Sequence, residues 1–388
     1  SVERYVLEGL YVVTSPTDYG EYTDSRGSRD AGLLRENSPG TYMFTWFPYY
    51  DIIAMANVVL PYIDKVKMSQ ERRDFYKGQV YFTKALAYSE LGRKWGNCPI
   101  IRDEVEYKPI GSSSWVEVID YAIELAQEAA NLLPEYPNLT DYKGNAITYK
   151  STPSKGAAQA LLAHLCAWKA GCKYMAQPEE ATYDERALWV KADSVCTALI
   201  MSGVYGLANS PEKICTSTLV GGDPESIYEI VLRDCWDELE SEDPISVHDL
   251  SYCFGRYYQT WPVIPGEEAG DLWMRSWKIL STSVCKMYPQ RIIGKDTITD
   301  LRKDAYFYKV DSMANDTLLD ITEGYAYPQK YRLTRLATSG WQAGRFINFD
   351  QNRIVFRLAD IILLRAECRV RLGNNEGAIA DLNTIRER

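Results

Sequence analysis

The sequence predicts a mainly α-helical fold of about four tetratricopeptide-like helix hairpins, with long irregular insertions and a few short strands. Three observations carry this. Apolar residues recur at three- and four-residue steps over several long segments. Those segments begin and end at residues that cap or break helices. Between the third and fourth hairpins the texture changes to one rich in Gly, Pro, Asp and aromatics. The chain reads as a single body over 1–388, with helix pairs at about 46–94, 114–171, 183–201 and 357–388 and a loop-rich insertion with short strands at 206–350. The pattern does not mark a partner helix for 183–201.

In the first pair, 46–66 and 71–94, the second helix places Tyr81, Ala85, Tyr88 and Gly92 on one face. Its small residues admit a close neighbour, and Gly96 and Pro99 stop it. The second pair opens on a capping box, Ser114-Trp115-Val116-Glu117, in which serine and glutamate each satisfy a free backbone N–H. Trp115, Val118, Ile119, Ala122, Ala126, Ala129, Ala130 and Leu133 form its apolar stripe, which ends at Pro134. The partner starts with Thr152 as N-cap and Pro153 at the first helical position. Ala157, Ala160, Leu161, His164, Leu165 and Trp168 share its face, and Gly171 closes it. The third helix ends at Ser202-Gly203, and 226–232 reads as a strand. The fourth pair, 357–372 and 376–388, turns at Gly373-Asn374-Asn375. Glu367 and Arg371 form a surface i,i+4 pair on its first helix. Loops of such unequal length exclude a plain solenoid, and long insertions in a rigid repeat body usually carry function.

Composition excludes several function classes. A 388-residue chain that is 46% hydrophobic and 25% charged buries a sizeable core without staples. A net charge of −10 with no dense basic run argues against a nucleic-acid partner. No run of about 18 apolar residues offers a membrane span. The first residues lack the regions of a signal peptide, and the missing Met suggests a trimmed chain. The nine cysteines are scattered and never spaced CxxC, so they read as reduced structural thiols rather than a zinc site. His164 falls on an apolar helix face and His248 in an acidic loop, neither beside a nucleophile. No GxSxG, HExxH or phosphate-cradling loop occurs, and no carboxylate pair is singled out for glycosidase work. The acidic stretch from Asp234 to Asp243 lacks the alternation and central glycine of a calcium loop and reads as solvated. No catalytic residue, metal ligand or cofactor is therefore expected.

Five stretches, in order along the chain, resemble the SusD/RagB family of outer-membrane nutrient-binding lipoproteins. Residues 356–367 (FRLADIILLRAE) resemble the family's hallmark helix, and 378–388 (AIADLNTIRER) its Asn-x-(Ile/Val)-Arg-x-Arg ending. Residues 155–163 (KGAAQALLA), 202–207 with 225–230 (SGVYGL and ESIYEI) and 91–100 (LGRKWGNCPI) are similar to its second-, third- and first-repeat segments. Family members carry an N-terminal signal with a lipid-bearing cysteine and continue beyond the fourth repeat, so truncation at both ends is expected. The resemblance implies a lipoprotein exposed on the outer membrane of a Bacteroidetes-type cell. Its expected partners are an oligosaccharide or polysaccharide ligand and a SusC-like TonB-dependent transporter, with no nucleic acid and membrane contact only through a lipid anchor outside this chain. The repeats would mainly face the transporter, and ligands would bind on loops elsewhere.

Sugar rings present apolar C–H faces, so glycan sites need aromatic platforms rimmed by polar groups. Two segments have that make-up. Residues 41–50 pack Tyr42, Phe44, Trp46, Phe47 and Tyr49 together, and the family's ligand-contacting aromatics lie here, which selects Tyr42 and Trp46. Residues 252–277 hold Tyr257, Tyr258, Trp261 and Trp273 among Pro and Gly that mark loops. Trp341, flanked by Gly340 and Gly344, is a third candidate, with Arg256 and Arg345 as hydroxyl-binding groups. Core packing is the competing reading for each aromatic. Two other functions compete: a helical-repeat adaptor binding peptides in a groove, and an all-helical glycosidase.

Overall fold

The structure, a computed structural model, describes residues 20–22, 46–102, 109–231, 277–313, 324–336 and 346–388. Among the described residues seven long helices dominate: α1 (Phe47–Ile63), α2 (Gln70–Lys94), α3 (Trp115–Leu132), α4 (Lys155–Gly171), α5 (Glu185–Met201), α6 (Leu358–Leu372) and α7 (Asn375–Arg386). Each packs on the next, α1 on α2 through to α6 on α7, so they form one zigzag stack of tetratricopeptide-like hairpins. The fold is mainly α, as the periodicity predicts.

Local chemistry explains where the helices begin. Ser114 accepts from the Glu117 N–H at 3.3 Å while Glu117 Oε2 accepts from the Ser114 N–H at 3.0 Å, the reciprocal pair the motif calls for. α4 starts two residues later than expected. Its N-cap is Ser154, whose hydroxyl accepts from the Ala157 N–H at 3.2 Å, so Thr152 and Pro153 lie outside the helix. Ser154 has the extended backbone of an N-cap, at φ −115° and ψ 170°. α6 ends at Gly373, which takes the left-handed conformation at φ 87°.

The core is continuous across the stack and dense with alanine: Ala122, Ala126, Ala129, Ala157, Ala160 and Ala163 are all buried. Small side chains bring backbones close, and two glycines on α2 bring α3 closer still. A Cβ on Gly92 would stand 2.7 Å from Ile119 Cδ1, and one on Gly78 would stand 2.7 Å from Leu133 Cγ. Neither position tolerates a side chain without repacking.

The neighbour of α5 comes from far along the chain. After α5 follow a short helix (Pro211–Thr216) and β1 (Ser226–Ile230). β1 pairs antiparallel with β2 (Arg353–Arg357), which runs straight into α6. The strand pair thus closes the insertion and returns the chain so that α6 packs on α5. Buried Glu225 locks this junction: Arg357 donates to its Oε1 at 2.8 Å, and Arg388 and the Ala208 N–H donate to its Oε2 at 2.7 Å each. Inside the insertion, Trp277–Leu280 pairs antiparallel with both Gly20–Tyr22 and Tyr325–Ala326. A small hairpin, Arg291–Ile293 with Asp296–Ile298, turns at Gly294 with φ 68°.

Candidate functional site

Successive helices run antiparallel, as their end-to-end contacts show, so the stack has two ends. At one end lie the start of α1, the end of α2, the start of α3, the end of α4 and the start of α5. Tyr50 near the start of α1 donates to the Pro99 carbonyl at 2.7 Å, and the Trp115 N–H donates to Asn97 Oδ1 at 2.9 Å. Tryptophans gather there: Trp46, Trp95, Trp115, Trp168 and Trp189 all belong to this end. At the other end lie the α3–α4 loop, the exit of α5, the β1–β2 pair and the terminus of α7.

Trp46 is the one predicted platform residue among those described. It is the residue before α1, where Pro48 pre-sets the first turn. It is half-buried, meets Tyr50 edge-on with ring centroids 5.8 Å apart, and leans on the main core. Phe47 beside it is 67% exposed. Tyr49 is buried and edge-on to half-buried Trp95 at 5.6 Å, with Lys94 Nζ donating to its hydroxyl at 2.7 Å. Burial raises the Tyr50 hydroxyl well above the usual phenol range. The rings of Trp46, Phe47, Tyr50 and Trp95 offer apolar surface at this end. Sequence reasoning singled out Trp46 but neither its neighbour Tyr50 nor the pairing of Tyr49 with Trp95. The i,i+4 spacing of Trp46 and Tyr50 was the available signal for the first; the contact with Trp95 is long-range and had none. Tyr42, Tyr257, Tyr258, Trp261, Trp273 and Trp341 lie outside the described residues, as do Arg256, Arg345, His248 and the 234–243 acidic stretch.

The same end carries a shallow cleft of about 340 Å³ lined by Lys173, Asp184, Glu185, Arg186, Trp189 and Arg371. Arg371 covers Trp189 at 5.6 Å and the indole is only 3% exposed, so no open ring face is presented there. Among the described residues no group of three or more His, Cys, Asp or Glu side chains is placed to hold a metal ion. The described cysteines are free thiols. Burial pushes the Cys166 thiol up to about 11 and Cys368 to about 12, which removes the nucleophilic thiolate at neutral pH. His164 pairs through Nε2 with Asp360 Oδ2 at 2.7 Å and stacks on Phe356, a structural bridge between α4 and α6. No described helix is long and apolar enough to cross a membrane.

Comparison with known proteins resolves the lineage of this framework. Residues 23–166 match a family model described as starch-binding and associating with the outer membrane, and residues 256–388 match the SusD family model. The chain belongs to the SusD/RagB family. Solved structures agree in fold across the whole chain. A SusD-like protein of Bacteroides fragilis shares 17% identity at TM-score 0.69, over 100% of this chain and 75% of that one. Surface glycan-binding protein A of Bacteroides uniformis shares 18% at TM-score 0.68, over 98% and 74%. A laminarin-binding SusD-like protein shares 18% at TM-score 0.64, over 98% and 81%. Among curated proteins compared by sequence, none matches.

Proposed function

We propose that this SusD-family chain is a glycan-binding protein of the cell surface, which captures oligosaccharides for import through a TonB-dependent outer-membrane transporter and performs no chemistry itself. The carrying observation is the pair of family matches laid over a helical stack whose one end concentrates aromatic side chains around Trp46. Structural relatives named as glycan-binding and laminarin-binding proteins support the ligand class. Binding would rest on rings stacked against sugar faces, with a lipid anchor outside this chain holding the protein at the outer membrane. Tyr42, Tyr257, Tyr258, Trp261, Trp273 and Trp341 are proposed to complete the platform begun by Trp46.

Calorimetry against an oligosaccharide panel tests this, using Trp46→Ala, Trp261→Ala and Trp273→Ala. Each loss of a stacking ring should weaken binding by about 2 kcal/mol. Unchanged affinity in all three variants for every glycan the wild type binds would sink the platform. Co-purification of the native protein with a TonB-dependent barrel tests the partnership, and release of sugar products from the same panel would contradict the non-enzymatic reading.

A further inference from the structure

The opposite end of the stack holds a second cleft, of about 330 Å³, walled by four stretches of chain: Thr148 and Tyr149 ahead of α4, Val220–Gly222 ahead of β1, Val231 just after it, and Asn352 just before β2. Its chemistry differs from that of a packing defect. Tyr149, 51% exposed, and exposed Thr148 both line the cleft. The Asn352 amide, 2% exposed, lines the cleft. Gly221 and Gly222 both have positive φ, 102° and 75°. A Cβ on Gly221 would strike Asn352 Nδ2 at 2.6 Å and lie 3.7 Å from Glu229 Oε1, while one on Gly222 would meet nothing within 4 Å. One glycine therefore lets the backbone lie against buried polar groups, and the other leaves open space.

Two buried side-chain oxygens on the segments around this wall lack a well-formed hydrogen bond among the described residues, although the Lys150 and Gly222 backbones approach the Glu229 carboxylate. They are Glu229 Oε1 and Thr218 Oγ1, with Glu229 Oε2 accepting from Ser226 at 3.1 Å. A buried unpaired acceptor costs about 1–3 kcal/mol and calls for a water or a ligand donor nearby. The surroundings are rigid: buried Lys150 spends its ammonium on the Asp223 and Ser226 carbonyls at 2.6 Å each.

We infer that this cleft is a second sugar-binding subsite, taking one neutral, hydroxyl-rich ring. The inference rests on the glycan-binding reading. None of the lining residues carries a charge, which disfavours an anionic or cationic ligand. Strand addition by a peptide is disfavoured as well, because β1 is flanked by β2 on one side and by the Glu229 N–H to Lys150 carbonyl bond (3.1 Å) on the other. An exposed aromatic residue in a cleft of uncharged lining suits a pyranose. α4, with 17 residues and a 1.5 Å rise, separates the cleft from the tryptophan-rich end by roughly 25 Å. A short oligosaccharide cannot reach both, so the two sites are separable in solution.

The test is calorimetric titration of the full chain with glucose-, galactose- and mannose-based trisaccharides. It compares wild type, Trp46→Ala, Tyr149→Ala, Gly222→Asn and the double variants that combine Trp46→Ala with each cleft change. Asparagine tolerates the left-handed backbone and fills the cleft, and Tyr149 lies at the surface, so the pair guards against misfolding. The expected result is binding that survives Trp46→Ala and falls at least about tenfold in both double variants. If both cleft variants bind every trisaccharide with wild-type affinity and stoichiometry, the subsite is overturned while the glycan-binding reading stands. If the wild type binds none of them, both are overturned.

Discussion

Glu225 shows what a single buried side chain does in this protein. It is fully buried, and two guanidinium groups and one backbone N–H converge on its carboxylate. Replacing it with glutamine leaves Arg357 and Arg388 without a counter-charge. Breaking a buried pair in this way typically costs about 3–5 kcal/mol. Glu225→Gln should accordingly lower the denaturation midpoint sharply, and a midpoint within a degree of wild type would refute the clasp. This residue was not legible as special in the sequence. Its partners stand 132 and 163 positions away, and side-chain type alone does not reveal long-range pairing. Lys150 gives a pH signature. Burial lowers its pKa from 10.5 to about 8, against the pull of Glu229 and Asp223. In the unfolded chain it holds its proton to higher pH, so the unfolded state binds more protons between about pH 8 and 10.5. The cost of burying the charged amine is therefore full below pH 8 and is relieved as pH rises through that window. Relative to Lys150→Met, wild-type stability should increase from pH 8 to pH 10, by up to about 1.4 kcal/mol per unit. Parallel pH profiles for the two proteins would contradict it.

At the scale of elements, legibility follows the range of the interactions. The capping box at Ser114 and Glu117, the buried stripe behind it and the glycine stop of α6 are local, and each was readable from neighbours a few residues apart. The start of α4 was read two residues early, because Thr152, Pro153 and Ser154 all suit a helix start and only the backbone conformation at 154 decides among them. The spatial neighbour of α5 was not readable at all. Periodicity marks α6 as a helix but does not say that a strand pair carries it back across the insertion. For the candidate site the same division holds: Trp46 stood out through the family resemblance of its aromatic stretch, its contact with Tyr50 had a local signal, and the contact of Tyr49 with Trp95 had none. Two measurements address the elements directly. Ser114→Ala should cost about 1 kcal/mol through the lost cap, and Glu117→Ala added to it should cost less than its single effect, since the two hydrogen bonds support one another. Gly92→Val should cost about 1–3 kcal/mol by forcing Ile119 aside, with the loss read as a lower melting temperature.

At the scale of the molecule, the stack is close to one-dimensional: each long helix packs mainly on its predecessor and its successor. In such an array stability is a sum of local terms plus neighbour interfaces, so an end can open while the middle stays folded. The α6–α7 end is held by a charge network centred on Asp381, which is 3% exposed. Arg365 grips its two oxygens at 2.6 and 3.0 Å, and Arg369 adds a contact at 2.8 Å while also reaching Asp193 of α5 at 3.3 Å. This network ties α7 to α6 and α6 to α5, where apolar cover is thinner: Ile379 and Leu382 of α7 are 57% and 41% exposed. Removing the Asp381 charge should therefore act locally. In Asp381→Asn, amide hydrogen exchange should speed up across α7 and the second half of α6, whereas α2, α3 and α4, buried in the alanine-rich core, should keep wild-type protection. Because glycan binding is proposed for the tryptophan-rich end and for the cleft beside β1, the same variant should retain sugar affinity within about twofold at temperatures well below melting, since sites with no shared partners act nearly independently. Uniform acceleration of exchange in all seven helices would show instead that the stack unfolds as one cooperative unit, and that the Asp381 network stabilises the whole rather than its end.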